Sequence, residues 1–180
     1  MKWVQWALLG GGASMLAYCG FVWMDAREFD HAERERYESI HEAVAAKPVL
    51  SPDSIARLEI PRLGVSVPVV EGTSGKSLRR AVGHITGTEF PGMAGNVGIA
   101  GHRDTFFRPL RNIRRNDIIT LNTAAGEYRY SVVSTRIVSP SEVDVLASGK
   151  NEILTLVTCY PFYMLGSAPD RFIVRAKRII

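Results

Sequence analysis

Three reactive side chains each stand at the end of an apolar run. Ile153-Leu154-Thr155-Leu156-Val157-Thr158-Cys159 breaks at Tyr160-Pro161 and finishes in a thiol. Asn96-Val97-Gly98-Ile99-Ala100-Gly101-His102 finishes in an imidazole. Arg171-Phe172-Ile173-Val174-Arg175-Ala176 opens with a guanidinium, just after Pro169-Asp170. Short apolar runs bounded by turn signals read as buried strands, so each group is expected at a sheet rim. Together they offer a nucleophile, a proton shuttle and a charge stabiliser. Arg171 stays protonated, so it can donate hydrogen bonds but cannot act as a base. Alternation puts Arg175 on the same face as Arg171, further from the rim, and Arg178 on the opposite face.

These residues alone leave two assignments open. The chain has two cysteines, and Cys19 lies in a long apolar N-terminal run, so Cys159 has no partner in the remainder. An unpaired thiol in an exported chain points to reactivity, while a buried core cysteine is the plain alternative. His84 follows a glycine just as His102 does, so spacing does not choose between them. His31 and His41 sit in a charge-dense segment without paired ligands and read as surface histidines. No Cys, His or acidic spacing forms a metal-ligand set.

The elements that must position these groups are mostly strands. Leu58–Ile60 and Val65–Val70 are separated by Pro61 and Leu63-Gly64, and Ser77–Val82 could make one helical turn. Thr86–Gly92 reads as a loop before the strand that leads to His102. Asp117–Asn122 and Glu127–Val138 form a hairpin around Ala125-Gly126. Ser139–Glu152 and Tyr160–Asp170 are connecting loops on either side of the thiol strand. Several short strands with turns between them predict a closed β-barrel.

The N-terminal region differs in kind. Trp3–Met24 is uncharged and, as a helix, long enough to cross ~30 Å of hydrocarbon, with tryptophans near both ends. No short apolar core precedes a small-residue cleavage site, so a retained anchor over 1–24 is expected rather than a cleaved signal peptide. Residues 25–50 are rich in charge and read as a helical stalk that ends at Lys47-Pro48. Residues 51–180 form the remaining domain. Arg27, Arg34 and Arg36 follow the span, so charge alone does not place the C-terminal side outside the cell. Of the 22 Lys and Arg, 17 lie after Lys47 against 11 of the 18 Asp and Glu, which could favour an anionic wall or membrane surface. A net charge of +4 in a chain of ordinary globular composition does not indicate nucleic-acid binding.

The order of motifs carries a resemblance. Thr-Leu-Val-Thr-Cys at 155–159, Gly-His-Arg-Asp at 101–104 and Ala-Pro-Asp-Arg-Phe-Ile-Val-Arg-Ala at 168–176 are similar to those of sortases, the bacterial cysteine transpeptidases. The similarity runs from about Ser54 to the C-terminus and is greatest to class D-type single-anchor sortases. It implies an eight-stranded sortase barrel with short helices in its loops, preceded by one N-terminal transmembrane helix. It also implies Cys159 as nucleophile, His102 as proton shuttle and Arg171 as oxyanion donor. Thr158, Tyr160 and His84 become substrate-side candidates, with a loop-ordering structural histidine as the alternative for His84.

The implied reaction cleaves a C-terminal Leu-Pro-x-Thr-Gly-like sorting signal of a secreted protein through a Cys159 thioester. Transfer to an amine acceptor follows, such as a peptidoglycan stem peptide or a lysine side chain. The resemblance implies a single-pass membrane protein, N-terminus inside and catalytic domain outside. No cofactor is expected. Some sortases use calcium through loop acids, and Glu142, Asp144 and Glu152 fall in the matching loop, where solvated carboxylates are the ordinary reading. Two other classes remain: a wall cross-linking enzyme of the L,D-transpeptidase kind, and a membrane-anchored β-barrel binding module with a core cysteine. The first would be expected to carry a Ser-His-Gly-Cys type motif, which Thr-Leu-Val-Thr-Cys does not match.

Overall fold

Alternating apolar residues set the architecture. Ala56, Leu58 and Ile60 of strand β1 (Ser54–Ile60) are buried, as are Val65, Val67 and Val69 of β2 (Val65–Glu71). The same two-residue period buries Ile119 and Leu121, Tyr130 and Val132, Leu154 and Leu156, and Val174 and Ala176 in the later strands. Each strand therefore gives one face to a shared core, and the sheet must curl round to cover it. In the computed structural model, which describes Trp3, Met15, Leu16 and residues 53–164 and 166–179, it does so completely.

The remaining strands are β3 (Val82–His84), β4 (Gly95–Ala100), β5 (Ile118–Thr123), β6 (Gly126–Val138), β7 (Glu152–Tyr160) and β8 (Asp170–Ile179). They close in the order β1-β2-β3-β4-β7-β8-β6-β5, with β5 returning to β1. Only β2–β3 and β4–β7 pair in parallel. The expected closed eight-stranded barrel is present, with only short helical pieces between strands. It lies within the compact unit Val49–Ile180. The expected membrane span over 3–24 and stalk over 25–50 fall almost wholly outside the described residues. Among the described residues, no helix is long and apolar enough to cross a membrane.

One local expectation shifts. The helical turn expected over Ser77–Val82 lies instead at Gly75–Leu78 (α1), because the Ser74 hydroxyl accepts the Ser77 N–H at 3.1 Å and caps the turn early. Val82 is free to enter β3, where its fully buried side chain joins the core.

A charged clamp pins the β1–β2 turn to the start of β5. Arg62 donates through Nε and Nη2 to the Asp117 carboxylate, each at 2.5 Å, and the Arg114 N–H adds a third contact at 2.7 Å. The Arg62 guanidinium holds the Asp117 carboxyl below its ordinary value, while burial opposes the shift. A depressed carboxyl stabilises the fold fully above its unfolded value, near ~3.9, and loses that contribution as pH falls through the folded one. Asp117→Asn should therefore lower the melting temperature by a few degrees at neutral pH. The gap to wild type should close as both proteins are acidified through and below pH ~3.9. Parallel thermal melts across that range check this, and a gap independent of pH would contradict it.

Candidate active site

β7 presents its side chains alternately to the two faces of the barrel wall. Leu154, Leu156 and Thr158 point to the core side, so Val157 and Cys159 lie on the outer face. Cys159 is a free, half-buried thiol near the strand's end. β8 runs antiparallel beside it, with Cys159 directly opposite Arg171. Such cross-strand partners share a face, their Cβ atoms ~4.5–5.5 Å apart. The Arg171 guanidinium is held through Nη1 by the Asp170 and Ala168 carbonyls, at 2.9 and 3.3 Å.

On the other side of β7, parallel β4 brings in the histidine. The ladder runs to Ala100↔Val157 and continues with the Gly101 N–H donating to the Val157 carbonyl at 3.1 Å. The buried Thr158 hydroxyl donates to the Gly101 carbonyl at 2.7 Å. Gly101, which precedes His102, is thus tied to β7 by its backbone at Val157 and by the side chain of Thr158, which precedes Cys159. Gly101 cannot be larger, because a Cβ there would meet the Phe107 ring at 2.7 Å. Phe107 is fully buried under this segment, and its N–H closes the turn on the His102 carbonyl at 3.1 Å. Three adjacent strands therefore deliver His102, Cys159 and Arg171 to one end of the barrel wall.

The other candidates have different surroundings. The Thr158 hydroxyl is occupied as described. Tyr160 is half-buried, edge-on to Phe162 at 6.0 Å and stacked on Phe172 at 6.4 Å. The peptide bond from Tyr160 to Pro161 is cis. His84 pairs with Ile99, three residues back from His102 along β4, and is 1% exposed. Its Nδ1 lies 2.7 Å from the Glu71 carboxylate and its Nε2 2.9 Å from the Glu89 carbonyl, while its ring stacks on Phe90 at 4.6 Å. These contacts order the β3–β4 loop.

Sequence reasoning missed the groups that hold the surrounding loops. Arg103 is buried and donates through Nη2 to the Met164 and Gly166 carbonyls, at 2.7 and 2.6 Å. It fastens the His102 segment to the β7–β8 loop, and its place inside Gly-His-Arg-Asp was the available signal. Asn96 donates to the Val145 carbonyl at 3.1 Å and accepts the Thr155 hydroxyl at 2.7 Å, seating the β6–β7 loop on the outer face of β4 and β7. Glu89 accepts the Ser148 hydroxyl and the Asn96 N–H, which hold its carboxyl below the ordinary range.

The loop acids do not converge. Glu142 accepts the Ser139 N–H, and Glu152 faces Arg178. Among the described residues, no group of three or more His, Cys, Asp or Glu could hold a metal ion.

This arrangement has known counterparts. A family model described as "Sortase domain" matches residues 58–179. Sortase D of Bacillus subtilis is 37% identical over 123 residues, covering 68% of this chain and 62% of that protein. Sortase SrtE1 of Streptomyces coelicolor is 36% identical over 143 residues, covering 69% of this chain and 40% of that one. This chain thus spans less than two thirds of the length of either relative. Among solved structures, the Clostridium perfringens Sortase D5 transpeptidase superposes with a TM-score of 0.65 at 30% identity, covering 82% of this chain and 89% of that one. Two of these relatives carry the class D name, in keeping with the class D-type similarity of the motifs. With the barrel, the motif order and the matched span in agreement, the chain belongs to the sortase family of cysteine transpeptidases.

Proposed function

We propose that this protein cleaves a C-terminal sorting signal and transfers the upstream polypeptide to an amine. The observation that carries this reading is the register that sets Cys159 opposite Arg171 while Thr158 and Gly101 tie in the histidine segment. The Cys159 thiolate adds to the scissile carbonyl carbon, and the electron pair moves to oxygen, where Arg171 donates hydrogen bonds. As the tetrahedral species collapses, the C–N bond breaks, and His102 gives its proton to the departing amine. A thioester remains. His102 then removes a proton from the incoming amine, whose nitrogen adds to the thioester carbon and expels the thiolate. Water in place of the amine gives hydrolysis.

Cysteine, imidazole and guanidinium side chains supply every group this sequence needs. The substrate class is the Leu-Pro-x-Thr-Gly-like signal of secreted proteins, and the acceptor a wall stem peptide or a lysine amine. Residues 3–24 hold the enzyme in the cell membrane with the barrel outside. The test supplies Leu-Pro-x-Thr-x peptides with and without an added primary amine. A new amide product that grows at the expense of hydrolysis supports transfer; hydrolysis unaffected by any amine would contradict it. Full-length protein should also stay with membranes through a high-pH wash. Release of the intact chain would remove the anchor from the proposal.

A further inference from the structure

The β7–β8 loop carries the chain from the thiol strand to Arg171 with little of its own to hold it. Phe162 packs against the core at its start, but Tyr163, Met164, Gly166 and Ser167 are exposed. Among the described residues, its one internal backbone hydrogen bond runs from the Met164 N–H to the Pro161 carbonyl, at 3.5 Å. Two arginines take its carbonyls instead. Arg103 donates through Nη2 to Met164 and Gly166, at 2.7 and 2.6 Å. Arg171 donates through Nη1 to Ala168 and Asp170, at 3.3 and 2.9 Å. Four carbonyls at two-residue steps are thus held by two guanidinium groups. Arg103 has the firmer hold: both its contacts are short, charge-assisted bonds. The Arg171 contact to Ala168 is long, and Asp170 is its own chain neighbour.

Arg103 also stands on a fixed base. The turn that contains it is closed between the His102 carbonyl and the Phe107 N–H, over the fully buried Phe107 ring. Arg103 is 8% exposed, and its Nη1 is buried with no hydrogen-bond partner among the described residues. A buried guanidinium with an unpaired donor costs stability, so strengthening the fold does not account for it.

We infer that Arg103 is a positioning residue for Arg171, holding the loop whose carbonyls aim the Arg171 guanidinium at the developing oxyanion. The inference deepens the transfer reaction proposed above and rests on it. The path is continuous: the His102 turn, the Arg103 guanidinium, the Met164 and Gly166 carbonyls, then two residues on, the Ala168 carbonyl and Arg171 Nη1. The backbone of Arg171 is set independently, by its pairing with Cys159 across β7 and β8. Arg103 therefore governs where the guanidinium points, not whether it is there. A donor displaced by about 1 Å can cost ~10²-fold in rate.

The experiment is a double-mutant cycle on a cleavable Leu-Pro-x-Thr-x peptide. Arg103→Met keeps the buried stem and drops every donor. It should melt within a few degrees of wild type, yet lower kcat and kcat/KM together by on the order of 10–10²-fold, with KM unchanged. In an Arg171→Ala background the same change should cost less than about threefold, because the group it aims is gone. Arg103→Lys should recover most of the rate, since both loop contacts leave from one nitrogen. Arg108→Gln, on an exposed arginine five residues further along, should keep it. A near-wild-type kcat in Arg103→Met, an equal loss with and without Arg171, or a change confined to KM would each overturn the assignment. A lysine variant as slow as the methionine one would do so as well. Arg103→Gln runs the same cycle if the methionine variant does not fold. If wild type cleaves no such peptide, the transfer reading itself fails and the assignment falls with it; an active enzyme without the coupling strikes the role of Arg103 alone.

Discussion

Cys159→Ala abolishes both cleavage and transfer while leaving the barrel folded. Among the described residues Cys159 is the one free thiol, and it sits half-buried on the outer face of β7. Removing one sulfur atom there opens no cavity in the core, which Leu154 and Leu156 fill from the other face. The fold should therefore report wild-type thermal melting within a degree or two. Activity should fall on the order of 10⁶-fold, as removal of a covalent nucleophile does when the other catalytic groups act only through it. Turnover above background in this variant would remove the thioester mechanism, whatever else the site retains.

Arg171→Lys is the second large effect and the more discriminating one. The guanidinium is fixed by the Ala168 and Asp170 carbonyls through Nη1, which aims its remaining donors from a settled position. A lysine keeps the charge but loses the planar fork, and an ammonium cannot satisfy those carbonyls and a developing oxyanion in the same geometry. Losing one oxyanion donor lowers the rate ~10²–10³-fold, or about 2.7–4 kcal/mol, and Arg171→Ala should lose at least as much as Arg171→Lys. If Arg171 acted only by drawing the thiol toward thiolate through its charge, lysine would restore most of the rate. The alanine variant would then chiefly shift the pH profile of thiol alkylation. Transfer rates and alkylation profiles of the two variants separate these accounts. A near-wild-type Arg171→Lys enzyme would exclude the fixed-donor role.

What could be read from the sequence was local. The run Ile153–Cys159 announces a strand that ends in a thiol, and Arg171 opens the next one, because burial and turn chemistry write both signals within a few residues. The closed barrel followed from counting such runs. Most of what escaped depended on tertiary partners. The helical turn expected over Ser77–Val82 is the exception: Ser74, three residues before Ser77, is a local N-cap signal, and the turn it caps ends before Val82. His84 could not be separated from His102 by spacing, yet the partners that bury it, Glu71 and Glu89, come from the strand and loop on either side. Arg103 reads as one arginine among many until the Met164 and Gly166 carbonyls, some sixty residues away, close over it.

Intact-protein mass spectrometry of an acid-quenched reaction addresses the chemistry without any variant of the histidine or arginine. Incubation with a cleavable Leu-Pro-x-Thr-x peptide should add the mass of its acyl half to the protein. Fragmentation should place that mass on Cys159, and a brief exposure to hydroxylamine should remove it. Peptide cleavage with no such adduct under single-turnover conditions, or an adduct on any other side chain, would contradict the account.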